Sequence, residues 1–145
     1  MIAIDDVASG FQLEEPFVFV RWGVSENSLI SILSPATPRR VRSGYYWMEC
    51  VSLRGLRHMI GFHFRPLVSG KLGQLEFSRA AYPDLKASYD EFQSHLVACF
   101  GEPHHSSLSD SGFDDCLWIF GRVRLSHVVF DRFGLEERVS LECAS

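Results

Sequence analysis

The sequence predicts an α+β domain: an antiparallel β-sheet with two main helices on one face. Three observations carry that prediction. An amphipathic pattern, Leu85, Tyr89, Phe92, Leu96 and Phe100, stops at Gly101-Glu102-Pro103. Three short apolar runs of strand length follow, Cys116–Phe120, Val123–Phe130 and Val139–Cys143. A fainter version of the same order, helix, proline break and meander, occupies the first half. The chain therefore reads as one domain, 1–145, built as a pseudo-repeat of a helix plus a three-stranded meander, with halves of about 16–79 and 84–143.

Each element has a local cause. Residues 1–15 are polar and acidic without a firm period, which fits a lead-in or a short first helix. Phe17-Val18-Phe19-Val20 is a continuous run of β-formers and reads as the first strand. Ser25 then suits an N-cap for a helix over about 26–33. Glu26 favours the positive end of its dipole, and Val24 and Leu29 have hydrophobic-staple spacing. Ser34-Pro35 ends that helix, and Ala36 to Gly44 reads as a loop carrying Arg39, Arg40 and Arg42.

Strands are expected at Tyr45–Leu53, Arg57–Phe64 and Lys71–Ser78, the last two joined by a hairpin connection over Leu67–Lys71. Ala80 to Pro83 leads into the long helix, with Asp84 as its cap. Gly101 suits a left-handed residue past the helix end, and Pro103 forbids continuation. Ser106 to Asp115 reads as a polar loop, and the segment around Gly134 as a turn between the last two strands.

Composition narrows the function classes. At 145 residues the chain can bury a core without disulfides or metal. Its 46% hydrophobic and 22% charged residues are those of a soluble globular protein. A 13% aromatic share, twelve Phe among it, is rich: part of it is core, and a surplus can also supply binding anchors. A net charge of −4 disfavours nucleic acid and favours a basic partner. The first residues lack a basic region and an apolar run, and no window approaches the about 18 apolar residues of a membrane span. A cytoplasmic protein without membrane contact is expected. Cys50, Cys99, Cys116 and Cys143 are widely spaced within apolar patterns, as buried reduced thiols are.

No catalytic or metal-ligand spacing stands out, so the chain reads as a non-enzyme without cofactor. His104 and His105 are adjacent, which turns them apart in a strand or loop. His58 and His63 differ by five, which puts them on opposite faces of a strand. No H-E-x-x-H, C-x-x-C, G-x-S-x-G or phosphate loop is present. A Cys–His pair could assemble in space from Cys99, Cys116 and His127, though nothing in the sequence selects it. The loop at 106–115 is more suggestive. Asp110, Asp114 and Asp115 surround a single aromatic, Phe113, a pattern that suits capture of a basic surface. Glu136 and Glu137 add negative potential at the last hairpin. These six residues form the expected partner-binding site.

Several short motifs also resemble a known class. They are Trp22-Gly23-x-Ser25 before the first helix, Phe100-Gly101-x-Pro103 after the second, Trp118 in the next strand, and Arg132-Phe133-Gly134-x-Glu136-Glu137 before the last. Together they are similar to small cytosolic immunity proteins that accompany bacterial polymorphic, contact-dependent and type VI secretion toxins. The helix–G-x-P–strand order also resembles the repeat of β-lactamase-inhibitor-like and outer-membrane assembly lipoprotein domains, although this chain lacks their lipidation cysteine near the start. The resemblance implies stoichiometric inhibition of a cognate toxin whose active-site cleft is basic. A secretion chaperone or adaptor is the alternative, and a small enzyme comes third.

Overall fold

The computed structural model describes residues 4–65, 70–79 and 84–144. Its elements are α1 (Ile4–Ser9), β1 (Gly10–Leu13), β2 (Val18–Arg21), α2 (Glu26–Leu33), β3 (Arg39–Arg42), β4 (Tyr45–Ser52), β5 (Leu56–Arg65), β6 (Lys71–Ser78), α3 (Leu85–Phe100), β7 (His105–Leu108), β8 (Asp114–Phe120), β9 (Val123–Asp131) and β10 (Leu135–Cys143). β1 and β2 form a small hairpin. The other eight strands form one antiparallel sheet in the order β3-β4-β5-β6-β10-β9-β8-β7. Two four-stranded meanders thus meet at β6 and β10, where Val139 to Glu142 pair with Phe77 to Gln74.

Alternation assigns the faces. His58, Ile60, Phe62 and Phe64 of β5 point inward. So do Phe77 and Leu75 of β6, Val139 and Leu141 of β10, Leu125 and His127 of β9, and Cys116, Trp118 and Phe120 of β8. All are buried. α3 covers this face: Phe92 meets the rings of both His58 and His127, and the indole of Trp118 donates to the Gly101 carbonyl at 2.8 Å. The β1–β2 hairpin covers it as well, with Phe11 against Phe77. The opposite face stays partly open.

The caps act as expected. Ser25 accepts from the Ser28 amide and Asp84 from the Lys86 amide, and Gly101 has a positive φ while its amide donates to Val97. Two segments expected as loops carry the outer strands β3 and β7. Every residue in both is exposed, so neither shows the apolar alternation that marks a strand; backbone pairing with β4 and β8 holds them. Each meander therefore has four strands where the sequence suggests three. The first fifteen residues supply α1 and β1. Glu14 adds a tie there: its carboxylate accepts from the amides of Arg54 and Gly55 at 2.6 and 2.9 Å, bracing a β4–β5 turn in which Leu53 and Arg54 hold positive φ. Most of the expected Leu67–Lys71 connection and all of Ala80–Pro83 lie outside the described residues.

Candidate partner-binding site

Ladder register brings two hairpin tips to the same end of the sheet. β7 pairs with β8 from His105↔Leu117 to Leu108↔Asp114, β8 with β9 from Cys116↔His127, and β9 with β10 out to Asp131↔Leu135. The tips at 109–113 and 132–134 are therefore neighbours. Asp110, Asp114, Asp115, Asp131 and Glu136 gather there.

The first tip is a bonded turn. The Ser109 amide and hydroxyl both donate to the Phe113 carbonyl, at 3.1 and 2.8 Å. The Ser109 hydroxyl accepts from the Ser111 amide, and the Ser111 hydroxyl from the Phe113 amide. Gly112, at φ +87°, completes the reversal. The serines thus serve as local backbone partners. Asp110 and Asp114 are exposed, and Asp115 is half-buried on the open face.

Phe113 and Glu137 differ from expectation. Phe113 is half-buried, its ring 5.0 Å from that of Tyr89, whose hydroxyl donates to the Asp114 carbonyl at 2.6 Å. It holds the tip to α3 rather than standing free as an anchor. Glu137 is a correction: its side chain is 1% exposed and adds nothing to the surface. Val139, Leu141 and Cys143 point inward, so Glu137, two residues earlier on the same face, must follow them. The strand runs back past Val139 to Leu135, so the same alternation reaches Glu137. Glu136 faces the other way and is exposed.

Glu137 closes a buried network. Its carboxylate lies 2.5 Å from His127 Nε2 and accepts from the Ser88 hydroxyl at 2.7 Å. His127 Nδ1 meets the Gln93 amide oxygen at 2.7 Å, and the Tyr89 ring stacks on the imidazole at 4.1 Å. Burial, then a hydrogen bond to the Cys116 thiol and the neighbouring carboxylates, pushes the Tyr89 phenol up, so it remains a donor. Cys116 stands directly across from His127, the spatial pair the sequence left open. Both imidazole nitrogens already face oxygen, leaving neither to take a proton from the thiol. The cluster locks α3 to β9 and β10; it is not arranged as a nucleophile and base.

The exposed aromatic at this end is Phe133, 89% accessible, with the Arg132 guanidinium over its ring and Leu108, 75% accessible, on the neighbouring hairpin. Gly134, at φ +110°, and the Asp131 carboxylate, which accepts the Gly134 amide, shape this second tip. The sequence placed Phe133 in a turn but did not mark it as an anchor; its position beside a turn glycine was the available signal.

The histidines and cysteines are dispersed. His58 faces the core and His63 the open face, where it pairs with Glu76 at 3.0 Å and holds that carboxyl below its usual range. His104 accepts the Ile119 amide, while His105 is exposed. All four cysteines are buried free thiols. Among the described residues, no group of three or more His, Cys, Asp or Glu is placed to hold a metal ion, and no helix is long and apolar enough to cross a membrane.

No protein-family model matches the chain, and no curated protein does. Among solved structures, it is similar to a DUF4309 family protein (YjgB) from Bacillus subtilis, at 11% identity and a TM-score of 0.48, over 97% of this chain and 93% of that one. A likeness of that degree says nothing of activity, ligand or partner.

Proposed function

We propose that the chain is an immunity-type inhibitor. It binds a cognate bacterial toxin domain, such as a type VI secretion effector, in the cytoplasm and silences it by stoichiometric contact. The observation that carries this reading is the acidic end of the sheet, where Asp110, Asp114, Asp115, Asp131 and Glu136 share the end that carries exposed Phe133 and Leu108, with Arg132 over the Phe133 ring. A large exposed aromatic at a carboxylate-rich end of the sheet suits a basic cleft: the ring fills it and the charges steer encounter. Tyr89 and Ser88 fix both hairpins to α3, so little ordering cost falls on binding.

The scaffold also supports a tandem origin, with α2 and β3–β6 as one unit and α3 and β7–β10 as the other. The sheet order mirrors about β6 and β10. Each unit carries an inward Cys–His cross-strand pair, Cys50 with His58 and Cys116 with His127, and both imidazoles lie 6.2 Å from Phe92.

The test is affinity purification of the tagged chain from its native cells, with mass spectrometry of what co-elutes. One stoichiometric partner, lethal when expressed alone and harmless beside this chain, is the expected result. A clean monomer, or a partner whose activity persists in the complex, overturns the reading; the latter points to a chaperone.

A further inference from the structure

The two outer edges of the sheet are built differently. β3 carries Arg39, Arg40 and Arg42, with the Arg39 and Arg42 guanidinia over Trp47 and Tyr45, and such charge blunts an edge against strand addition. β7 reads His105-Ser106-Ser107-Leu108, fully exposed, with no proline, lysine, arginine or carboxylate. None of the described strands pairs with its outer side.

The Ser109 amide donates to Phe113, so Ser109 and, by alternation, Ser107 and His105 turn their backbone groups toward β8. The N–H and C=O of Ser106 and Leu108 therefore point outward. Beside this edge, on the open face, lies a groove of about 500 Å³ with Leu117 and Val128 in its lining, along with His105, Ser107, Ser126 and Asp115. Among the described residues, no lysine or arginine lines it, and Asp115 contributes a carboxylate.

We infer that β7 is a strand-addition site for an extended, lysine- or arginine-bearing segment of the partner protein. This rests on the inhibitor reading and names how the partner is held. The segment pairs with the outward groups of Ser106 and Leu108 and turns alternate side chains over His105 and Ser107 toward the Leu117 side of the groove. A basic side chain meets Asp115, and the rest of the segment runs toward Asp110 and Asp114.

The test pans a display library of random linear peptides against the intact chain. Enriched peptides should be rich in β-formers with lysine or arginine, and should slow amide exchange at Ser106 and Leu108. Ser106→Pro removes an outward amide without breaking a backbone bond to β8, though it also deletes the Ser106 hydroxyl that contacts the Cys116 thiol, and it should weaken binding about tenfold, the value of one backbone hydrogen bond. Ser106→Ala, which keeps the amide, should not. Asp115→Lys leaves the backbone intact and should also weaken binding about tenfold, which keeps the test decisive should the proline variant misfold. Any of four results overturns the proposal: no enrichment, peptides without basic residues, equal binding to the folded Ser106→Pro and Asp115→Lys variants, or a dimer of this chain abolished by Ser106→Pro. A native partner held undiminished by both variants would remove β7 alone; absence of any native partner with peptides still bound at β7 would remove the inhibitor reading alone.

Discussion

Acid should destabilise the fold through His58 in particular. Its imidazole is buried between β4 and α3; Nδ1 donates to the Met59 carbonyl at 2.9 Å, and Nε2 lies 2.6 Å from the buried Ser52 hydroxyl. That arrangement suits the neutral ring, with the serine donating to Nε2. Burial, aided by the Arg79 cation, pushes the imidazole down to about 4 from 6.5. The unfolded chain therefore binds a proton at His58 that the folded chain refuses. The penalty is absent above the unfolded pKa, grows as pH falls through 6.5, and levels off below about 4. With somewhat over 1 kcal/mol per pKa unit, the loss is about 1 kcal/mol near pH 5.5 and about 3 kcal/mol near pH 4.5. Urea unfolding of the wild type and of His58→Gln over this range isolates the contribution, because the variant lacks the proton. The difference in stability between the two should narrow by those amounts on acidification. Parallel pH profiles, or a His58 proton resonance titrating near 6.5 in the folded protein, would show that His58 carries no such penalty.

The remaining predictions concern the same face and its acidic end. Glu137→Ala leaves His127 and Ser88 without their shared acceptor in the core; it should cost about 3–5 kcal/mol by denaturant unfolding, and Glu137→Gln less. Asp114→Lys with Asp115→Lys should slow association with the partner proposed above about tenfold at low salt, the effect shrinking as salt is added, as stopped-flow mixing would read. Phe133→Ala should weaken that complex by about 1–3 kcal/mol by calorimetry while folding stability stays within about 0.5 kcal/mol. Burial pushes the Cys50 and Cys99 thiols up to about 12 and about 11, so Ellman's reagent should leave both unmodified until the chain is unfolded.

Local chemistry made much of the scaffold legible. Ser25 and Asp84 announce helix starts because a side-chain acceptor next to orphan amides is a short-range event. α3 shows its period because its buried stripe repeats along one segment, and β6 is bounded as Lys71–Ser78 predicts. β3 and β7 were illegible because an exposed edge strand is defined by its neighbour's backbone and leaves no apolar pattern of its own.

At the candidate site the division runs residue by residue. Sequence marked Asp110, Asp114, Asp115 and Glu136 as surface carboxylates, and they are exposed or half-exposed. It could not show that two hairpins separated in sequence would lay them side by side, since that follows from the β8–β9–β10 register. Glu137 and Phe113 illustrate the same limit. A carboxylate enters the core only where Ser88 and His127, from two other elements, replace its water, and a loop phenylalanine leaves solvent only where Tyr89 of α3 awaits it. The chain by itself determined which segments could be helix or strand, because propensity and capping are local. Which polar groups became core and which edge stayed open followed from the folded arrangement, because desolvation and strand pairing depend on partners distant in sequence.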